Sequence, residues 1–383
     1  MPWRAVSVMD QRREFVRLAM LEGANRRELC NRFGISPDTG YRWLARHLAG
    51  DKELADRSRR PRSSPLRCNS DIEARVLAVR DANPAWGARK IARCLERKGT
   101  SAPAVSTVHQ ILRRHDRVNA PVHGAQAYQR FEKEAPNLLW QMDFKGWVRL
   151  RNETRCHPLT IVDDHSRFAV CLSACANEQG GTVQGQLEFT FRHYGLPDAV
   201  FVDNGGPWGD ASGTPWTRLG VWLLKLGVDV VHSRPFHPQS RGKNERFHRT
   251  LKAEVFAFQP FRDLGQVQRV FDRWRTVYNF DRPHEALDLE VPASRYRPSI
   301  RSMPDRVPQV EYDENEIVRA VSTTRHYVRF KGHLWIVPRA FCGERVAIRP
   351  RGTDGQYGIF FGAREISQID LRMPNVSESG ERP

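Results

Sequence analysis

Ala199-Val200-Phe201-Val202-Asp203-Asn204-Gly205-Gly206 is a short apolar run that stops at an acid and a pair of glycines. A run of this length bounded by turn formers reads as a buried strand, with Asp203 at its end. Upstream, Leu138-Leu139-Trp140-Gln141-Met142-Asp143-Phe144 sets one acid inside an otherwise apolar strand. Downstream, His237-Pro238-Gln239-Ser240-Arg241-Gly242-Lys243-Asn244-Glu245-Arg246-Phe247-His248-Arg249 opens a helix that carries Glu245 in its first turns. A lone buried carboxylate is costly, so Asp143 requires a partner or a role. Two strand carboxylates and one helix carboxylate beside apolar neighbours supply the hard oxygen ligands that divalent cations take. Two such cations about 4 Å apart stabilise both the attacking and the leaving oxygen of an in-line phosphoryl displacement. In that arrangement Asp143 is the natural bridging ligand, with Asp203 completing one metal and Glu245 the other.

Each acid has a plainer explanation. Asp203 before Asn-Gly-Gly is also a turn former. Glu245 and Arg249 are spaced as an ordinary surface pair on a helix. Phe247, Leu251, Val255 and Phe258 mark that helix's buried face, which leaves Glu245 at the edge of a sheet rather than over its middle. Asp163 and Asp164, in Asp-Asp-His-Ser, read as a hairpin turn, with Asp163 keeping a lesser claim on the metals. His237 and His248 suit a DNA contact or a cap better than a metal.

Net charge is +17 over 383 residues with a pI near 10.1, which calls for a polyanionic partner. Of that, +13 falls on residues 1–130, so nucleic-acid affinity is concentrated in the front third. The seven cysteines, Cys30, Cys68, Cys94, Cys156, Cys171, Cys175 and Cys342, form no Cys-x-x-Cys. Reduced, mostly buried thiols in a cytosolic protein without a signal peptide is the expectation. No apolar run reaches the length of a membrane span.

Residues 1–55 read as three short helices. Gly34-Ile35-Ser36-Pro37-Asp38 supplies a turn, a Ser cap and a Pro at the first helical position, and the third helix carries Tyr41, Arg42, Trp43, Arg46 and His47. That is a helix-turn-helix pattern with its last helix as major-groove reader, weighed against a plain trihelical domain with a solvated basic face. Residues 56–69 form a basic linker. Its Arg57, Arg59, Arg60 and Arg62 either lie in a narrow minor groove or serve only as a solvated connector. Residues 70–118 repeat the trihelical theme as a second helix-turn-helix domain, with Arg113 and Arg114 closing its third helix as candidate DNA contacts, and 119–136 connect onward. From 137 to 298, strands at Leu138–Val148, Leu159–Val162 and Phe168–Leu172 precede alternating helices and strands. This is a ribonuclease-H-like arrangement, a mixed sheet flanked by helices. Hairpins around Lys331-Gly332 and Asp354-Gly355 point to a small C-terminal β-barrel over 299–373, and 374–383 to a disordered tail. The fold class expected is therefore multidomain α and α/β.

Asp143 in Trp-Gln-Met-Asp-Phe, Asp163-Asp164-His165-Ser166-Arg167, Val202-Asp203-Asn204-Gly205 and the block Pro235–Arg249 resemble the retroviral-integrase core. Asn279-Phe280-Asp281-Arg282-Pro283-His284 is similar to the segment that comes after it in bacterial insertion-sequence transposases of the DDE class. The resemblance implies that Asp143, Asp203 and Glu245 are a catalytic, metal-binding triad for two Mg²⁺ ions, with Mn²⁺ as a substitute. It implies a double-stranded DNA partner, comprising the terminal inverted repeats of a mobile element and target DNA, and a homo-oligomer assembled on it. Arg241, Lys243 and Arg249 are placed to hold phosphates, against a solvated helix face as the alternative. Forty-one residues separate Asp203 from Glu245, more than is common in that family, and the excess falls in Gly206 to Trp216. The family's His/His/Cys/Cys amino-terminal module is not visible. The rivals are a non-catalytic DNA-binding regulator, or a nuclease that hydrolyses without joining; Tyr278 lacks the basic array of a tyrosine recombinase.

Overall fold

The computed structural model describes residues 7–58, 68–118, 132–209, 215–233, 242–257 and 260–372. Arg59, Arg60 and Arg62 of the linker, Arg241, His237, Phe258 and the 374–383 tail lie outside the described residues. The chain divides into two compact units, Met1–Arg67 and Cys68–Pro383.

In the first unit, α1 (Val8–Ala19), α2 (Arg26–Arg32) and α3 (Pro37–Leu48) close over Phe15, Val16, Ala19, Cys30, Leu44 and Leu54. Ser36 accepts a hydrogen bond from the Thr39 amide and Pro37 opens α3, as the Gly-Ile-Ser-Pro string predicts. Gly40 is required within α3, because a Cβ there would run into Cys30 Sγ and the Phe15 ring.

The second unit begins with α4 (Ser70–Ala82), α5 (Ala88–Arg97) and α6 (Val105–Arg114), packed around Val76, Trp86, Ile91, Leu95, Val108 and Ile111. Val277, from far along the chain, packs against this same cluster. Arg93 of α5 pairs with Glu290, and Arg97 donates to the Phe280 carbonyl at 3.3 Å. The module is therefore docked on the rest of its unit.

The centre of that unit is a mixed sheet built from β1 (Trp140–Phe144), β2 (Val148–Arg149), β3 (Arg155–Asp163), β4 (Ala169–Cys175), β5 (Ala199–Val202) and β6 (Asp229–His232). Strand β3 runs antiparallel to β1, β2 and β4, whereas β1–β5 and β5–β6 are parallel. The single strand expected over Leu138–Val148 is broken in two, because Gly146 adopts φ +84° and turns the chain. Helices α7 (Gly180–Tyr194) and α8 (Arg218–Lys225) cover one face, over Trp140, Met142, Val200 and Val202. Helices α9 (Gly242–Leu251) and α10 (Leu264–Thr276) cover the other, where Phe247, Leu251, Phe271 and Trp274 meet Cys156, Val162 and Leu172. Each of these two helices runs on into a π-helical turn, Lys252–Phe256 and Val277–Asp281. Gly195, at φ +77°, ends α7 where the backbone of Ser299 and Arg301 passes too close for any Cβ, and so sets the entry to β5.

The C-terminal strands do not close into the expected barrel. Strands β7 (Ile317–Ala320), β10 (Arg345–Pro350), β11 (Gln356–Phe361) and β12 (Arg364–Asp370) form an open antiparallel sheet in the order β12-β11-β10-β7. The hairpin β8 (Tyr327–Phe330) and β9 (His333–Ile336) is a separate two-stranded sheet. Closure needs a continuous ladder. Here the chain turns off β7 through Ser322–Tyr327, and a short 3₁₀ turn, Arg339–Phe341, separates β9 from β10. Both sheets nevertheless share one core, which includes Val328, Phe330, Phe341, Val346 and Ile359 together with Val221 of α8. Lys225–Glu344 at 2.6 Å and Arg364–Asp229 at 2.5 Å join the same two regions. No helix among the described residues is long and apolar enough to cross a membrane, and all seven cysteines are free.

Candidate active site

Side chains on a strand alternate between faces, so sheet register tells which acids share a face. Trp140 pairs with Val200 and Gln141 with Phe201 across the parallel β1–β5 ladder. Trp140, Met142, Val200 and Val202 are buried towards α7 and α8. Gln141, Asp143, Phe201 and Asp203 therefore belong to the opposite face, which α9 covers. Extending the register by two residues sets Asp143 beside Asp203 on neighbouring strands, which lie about 4.8 Å apart in a sheet. Both acids are half-buried at the C-terminal ends of their strands. Asp203 accepts from the Gly205 amide at 3.1 Å, and the Asp203 carbonyl accepts from His232 Nδ1 at 3.0 Å.

Helix α9 packs against β1. Its Phe247 and Leu251 are buried and Glu245 is exposed, as the spacing predicts. His248, one turn beyond Glu245, meets Thr160 Oγ1 at 2.8 Å, and Thr160 is the register partner of Asp143. The Thr160 hydroxyl donates to the Asp143 carbonyl at 2.9 Å, so His248 Nε2 is the donor in the His–Thr bond. Burial, aided by Lys145, holds the imidazole down to about 4, which keeps it neutral.

The three acids thus share one face of the sheet, two of them adjacent and the third on the helix above. They are not drawn into a single cluster: among the described residues no group of three or more His, Cys, Asp or Glu side chains is gathered tightly enough to hold an ion. The donor set fits a hard divalent cation, since Asp143 and Asp203 offer carboxylate oxygens from adjacent positions. Glu245, exposed on α9, is not gathered with them.

The Asp163–Arg167 turn is present but is more than a turn. Asp163 and Asp164 are both fully buried. Asp163 accepts from the Ser166 amide at 2.8 Å, the Ser166 hydroxyl at 2.5 Å and the Asn137 amide at 2.8 Å, while burial pushes its carboxyl up. Asp164 accepts from Gln141 Nε2 at 2.8 Å and the Lys133 amide at 2.8 Å, and it pairs with Lys243. The sequence reading missed Gln141, although its place two residues before Asp143 puts it on the same strand face; no sequence signal gives the link to Lys243.

The residues offered to DNA are divided. Tyr41, Arg42, Arg113 and Arg249 are exposed. Arg57 is exposed too, 3.7 Å from Asp51. Arg46 stacks on Trp43 and is held by Asp51 and the Ala55 carbonyl. Arg114 pairs at 2.8 Å with buried Glu73. Lys243 is engaged by Asp164, and burial brings its ammonium down to about 8.

Residues 133–238 match the family model of an integrase core domain and 226–292 match a second integrase core model. Residues 11–62 match a helix-turn-helix domain, 39–112 a homeodomain-like domain, and 316–377 the IS481 family transposase C-terminal domain. Together the two integrase core matches span residues 133–292. The Insertion element IS407 uncharacterized 31.7 kDa protein of Burkholderia multivorans is 27% identical over 233 residues, 59% of this chain and 80% of that protein. The Insertion element IS476 uncharacterized 39.2 kDa protein of Xanthomonas euvesicatoria is 30% identical over 158 residues, 41% of this chain but only 44% of that protein. Among solved structures, a chain of the simian T-cell lymphotropic virus intasome in complex with PP2A regulatory subunit B56 gamma is similar at TM-score 0.37 and 15% identity, over 78% of this chain and 97% of that one. The helix-turn-helix and homeodomain-like matches together span residues 11–112, ahead of the integrase core matches that lie over the mixed sheet.

Proposed function

We propose that the chain is a DDE transposase that binds the ends of a mobile DNA element, cleaves them and joins the 3′-hydroxyl ends to target DNA. The observation that carries this reading is the β1–β5 register, which sets Asp143 beside Asp203 on the face that α9, bearing Glu245, covers. Asp143, Asp203 and Glu245 are the residues that would hold two Mg²⁺ ions, or Mn²⁺ in their place. When bound, such ions lower the pKa of water and neutralise charge on a phosphate under attack. The chain's own residues do the rest. The strand acids fix where oxygen ligands converge, and His248, kept neutral, adds no positive charge beside them. A water cuts one phosphodiester and releases a 3′-hydroxyl, which then displaces a target-strand 3′-oxygen in line, with no covalent enzyme intermediate. Tyr41, Arg42 and Arg113 are the exposed candidates for end recognition, and Arg249 for phosphates nearer the acids. Joining two ends at once requires at least two copies of the chain on DNA.

The test is a cleavage and strand-transfer assay with Mg²⁺ on a duplex carrying the element's end. Asp143→Asn and Glu245→Gln should each reduce product by roughly three orders of magnitude, with DNA binding held within about twofold. Products that are cut but never joined would replace the transposase with a nuclease. Wild-type binding without cleavage on an authenticated end would leave a DNA-binding regulator.

A further inference from the structure

Glu245 sits between two tethers. Two residues before it, Lys243 Nζ binds the Asp164 carboxylate and also donates to the Asp164 carbonyl at 3.1 Å. Three residues after it, His248 is bonded to Thr160 at 2.8 Å. Both tethers end on groups fixed to the strand that carries Asp143. Asp164 is fixed to β1 by Gln141 Nε2 and by its own amide, which donates to the Leu139 carbonyl at 2.9 Å. Thr160 is fixed to β1 through the Asp143 carbonyl. Between them, one turn of helix holds an acid that is itself exposed.

We infer that the buried Asp164–Lys243 pair is a positioning device: it ties the first turn of α9 to the strand that carries Asp143 and so keeps Glu245 on the helix above Asp143 and Asp203. The inference rests on the proposed reading of those three acids as the metal site. Three features carry it. Asp164 is fully buried and Lys243 nearly so, with side-chain exposures of 0% and 14%, so the pair is not a solvated surface contact. A buried ion pair yields little stability over an apolar pair of the same volume, so its consequence lies in geometry. And the other partners of the Asp164 carboxylate, Gln141 Nε2 and the Lys133 amide, belong to β1 and its approach, so the clamp has one moving end, which is Lys243. This removes Lys243 from the phosphate-binding role its place in the sequence offers and makes it a positioning residue for Glu245.

The experiment uses the full-length protein and measures Mn²⁺ affinity without DNA, affinity for the element-end duplex, cleavage rate and unfolding midpoint. Lys243→Met keeps the stem and removes the charge; Lys243→Arg is the conservative control. The expected result is a folded Lys243→Met protein whose Mn²⁺ affinity falls by about tenfold or more, as for other residues that orient metal ligands. Cleavage should fall with it, duplex affinity should change by less than about twofold, and Lys243→Arg should recover most of both losses. Asp164→Asn, which breaks the clamp from the other side, should give the same metal loss and stands in if Lys243→Met does not fold. Unchanged Mn²⁺ affinity and cleavage in a folded variant would overturn the inference. So would a fall in duplex affinity and salt dependence at unchanged Mn²⁺ affinity, which would make Lys243 a phosphate contact. Asp143→Asn and Glu245→Gln separate the two levels. If neither weakens Mn²⁺ binding, the metal site itself is wrong; if both do and Lys243→Met does not, only the clamp is.

Discussion

The two trihelical modules are alike in length and in sequence pattern, yet the structure puts them to different uses. The first, α1–α3, closes over its own core and forms a compact unit of its own. The second, α4–α6, shares a unit with the integrase core: α5 gives Arg93 to Glu290 and Arg97 to the Phe280 carbonyl, and Val277 completes its apolar cluster. Its last helix still presents Ser106, His109, Gln110 and Arg113 outward. The lesson is that a helix-turn-helix pattern specifies a local fold and not a degree of independence. What decides independence is whether the faces left over find a partner elsewhere in the chain.

Four substitutions or conditions break or sharpen this contrast. The largest effect belongs to Trp86→Ala, which removes a fully buried indole from the docked module and should cost about 3–5 kcal/mol. Because that module is docked, calorimetry should show the main unfolding transition of the integrase core moving down with it; a separate small transition would refute the docking. Gly40→Val in the first module forces a side chain against Cys30 and Phe15, at a cost of about 1–3 kcal/mol. Here the main transition should stay in place while affinity for the element end falls.

The third is pH. His284, buried beside Tyr278, is held well below its ordinary value by burial and then by Arg282 and by Lys90 of α5. A base depressed in the fold stabilises above its unfolded value of 6.5, and that stability drains away as pH falls below 6.5. His248 adds a loss of the same sign between 6.5 and about 4. Denaturant unfolding at pH 7.5 and pH 5 should show the loss, and His284→Gln should flatten part of it; an unchanged slope would place His284 outside the balance. The smallest effect is Arg93→Ala. Both partners are a third or more exposed, so solvent screens the pair and the unfolding midpoint should barely move. A clear shift in the midpoint would mean α5 docks through the ion pair rather than through Val277.

The sequence was legible where the signal is local. Ala199–Val202 is a strand with the bounds its apolar run predicts, and α3 begins at Pro37 behind the Ser36 cap. Tyr327–Val337 turns at Lys331-Gly332, both of them at positive φ. It was illegible where the partner is distant. Asp163 and Asp164 read as turn acids because Asn137, Gln141 and Lys243, which hold them, lie 23 to 79 residues away. Lys243 and Arg114 read as free cations for the same reason, since their buried acids are not their sequence neighbours. For the candidate site, the apolar strands around Asp143 and Asp203 singled those acids out as candidates, but only the pairing of Gln141 with Phe201 tells that the two share a face. Barrel closure failed as an expectation because hairpin signals specify pairs of strands, not the ladder that joins the last pair to the first.

Helix α8 has one side in the integrase core and the other, through Val221, in the core of the C-terminal sheets. The boundary between these two regions therefore does not run along any loop. A shortened chain ending near Pro308 would leave Val221, with Trp216 and Leu224 beside it, facing water. Exchange of the C-terminal region between relatives would succeed only if the outer side of α8 travelled with it, so the heritable module is larger than the folded one.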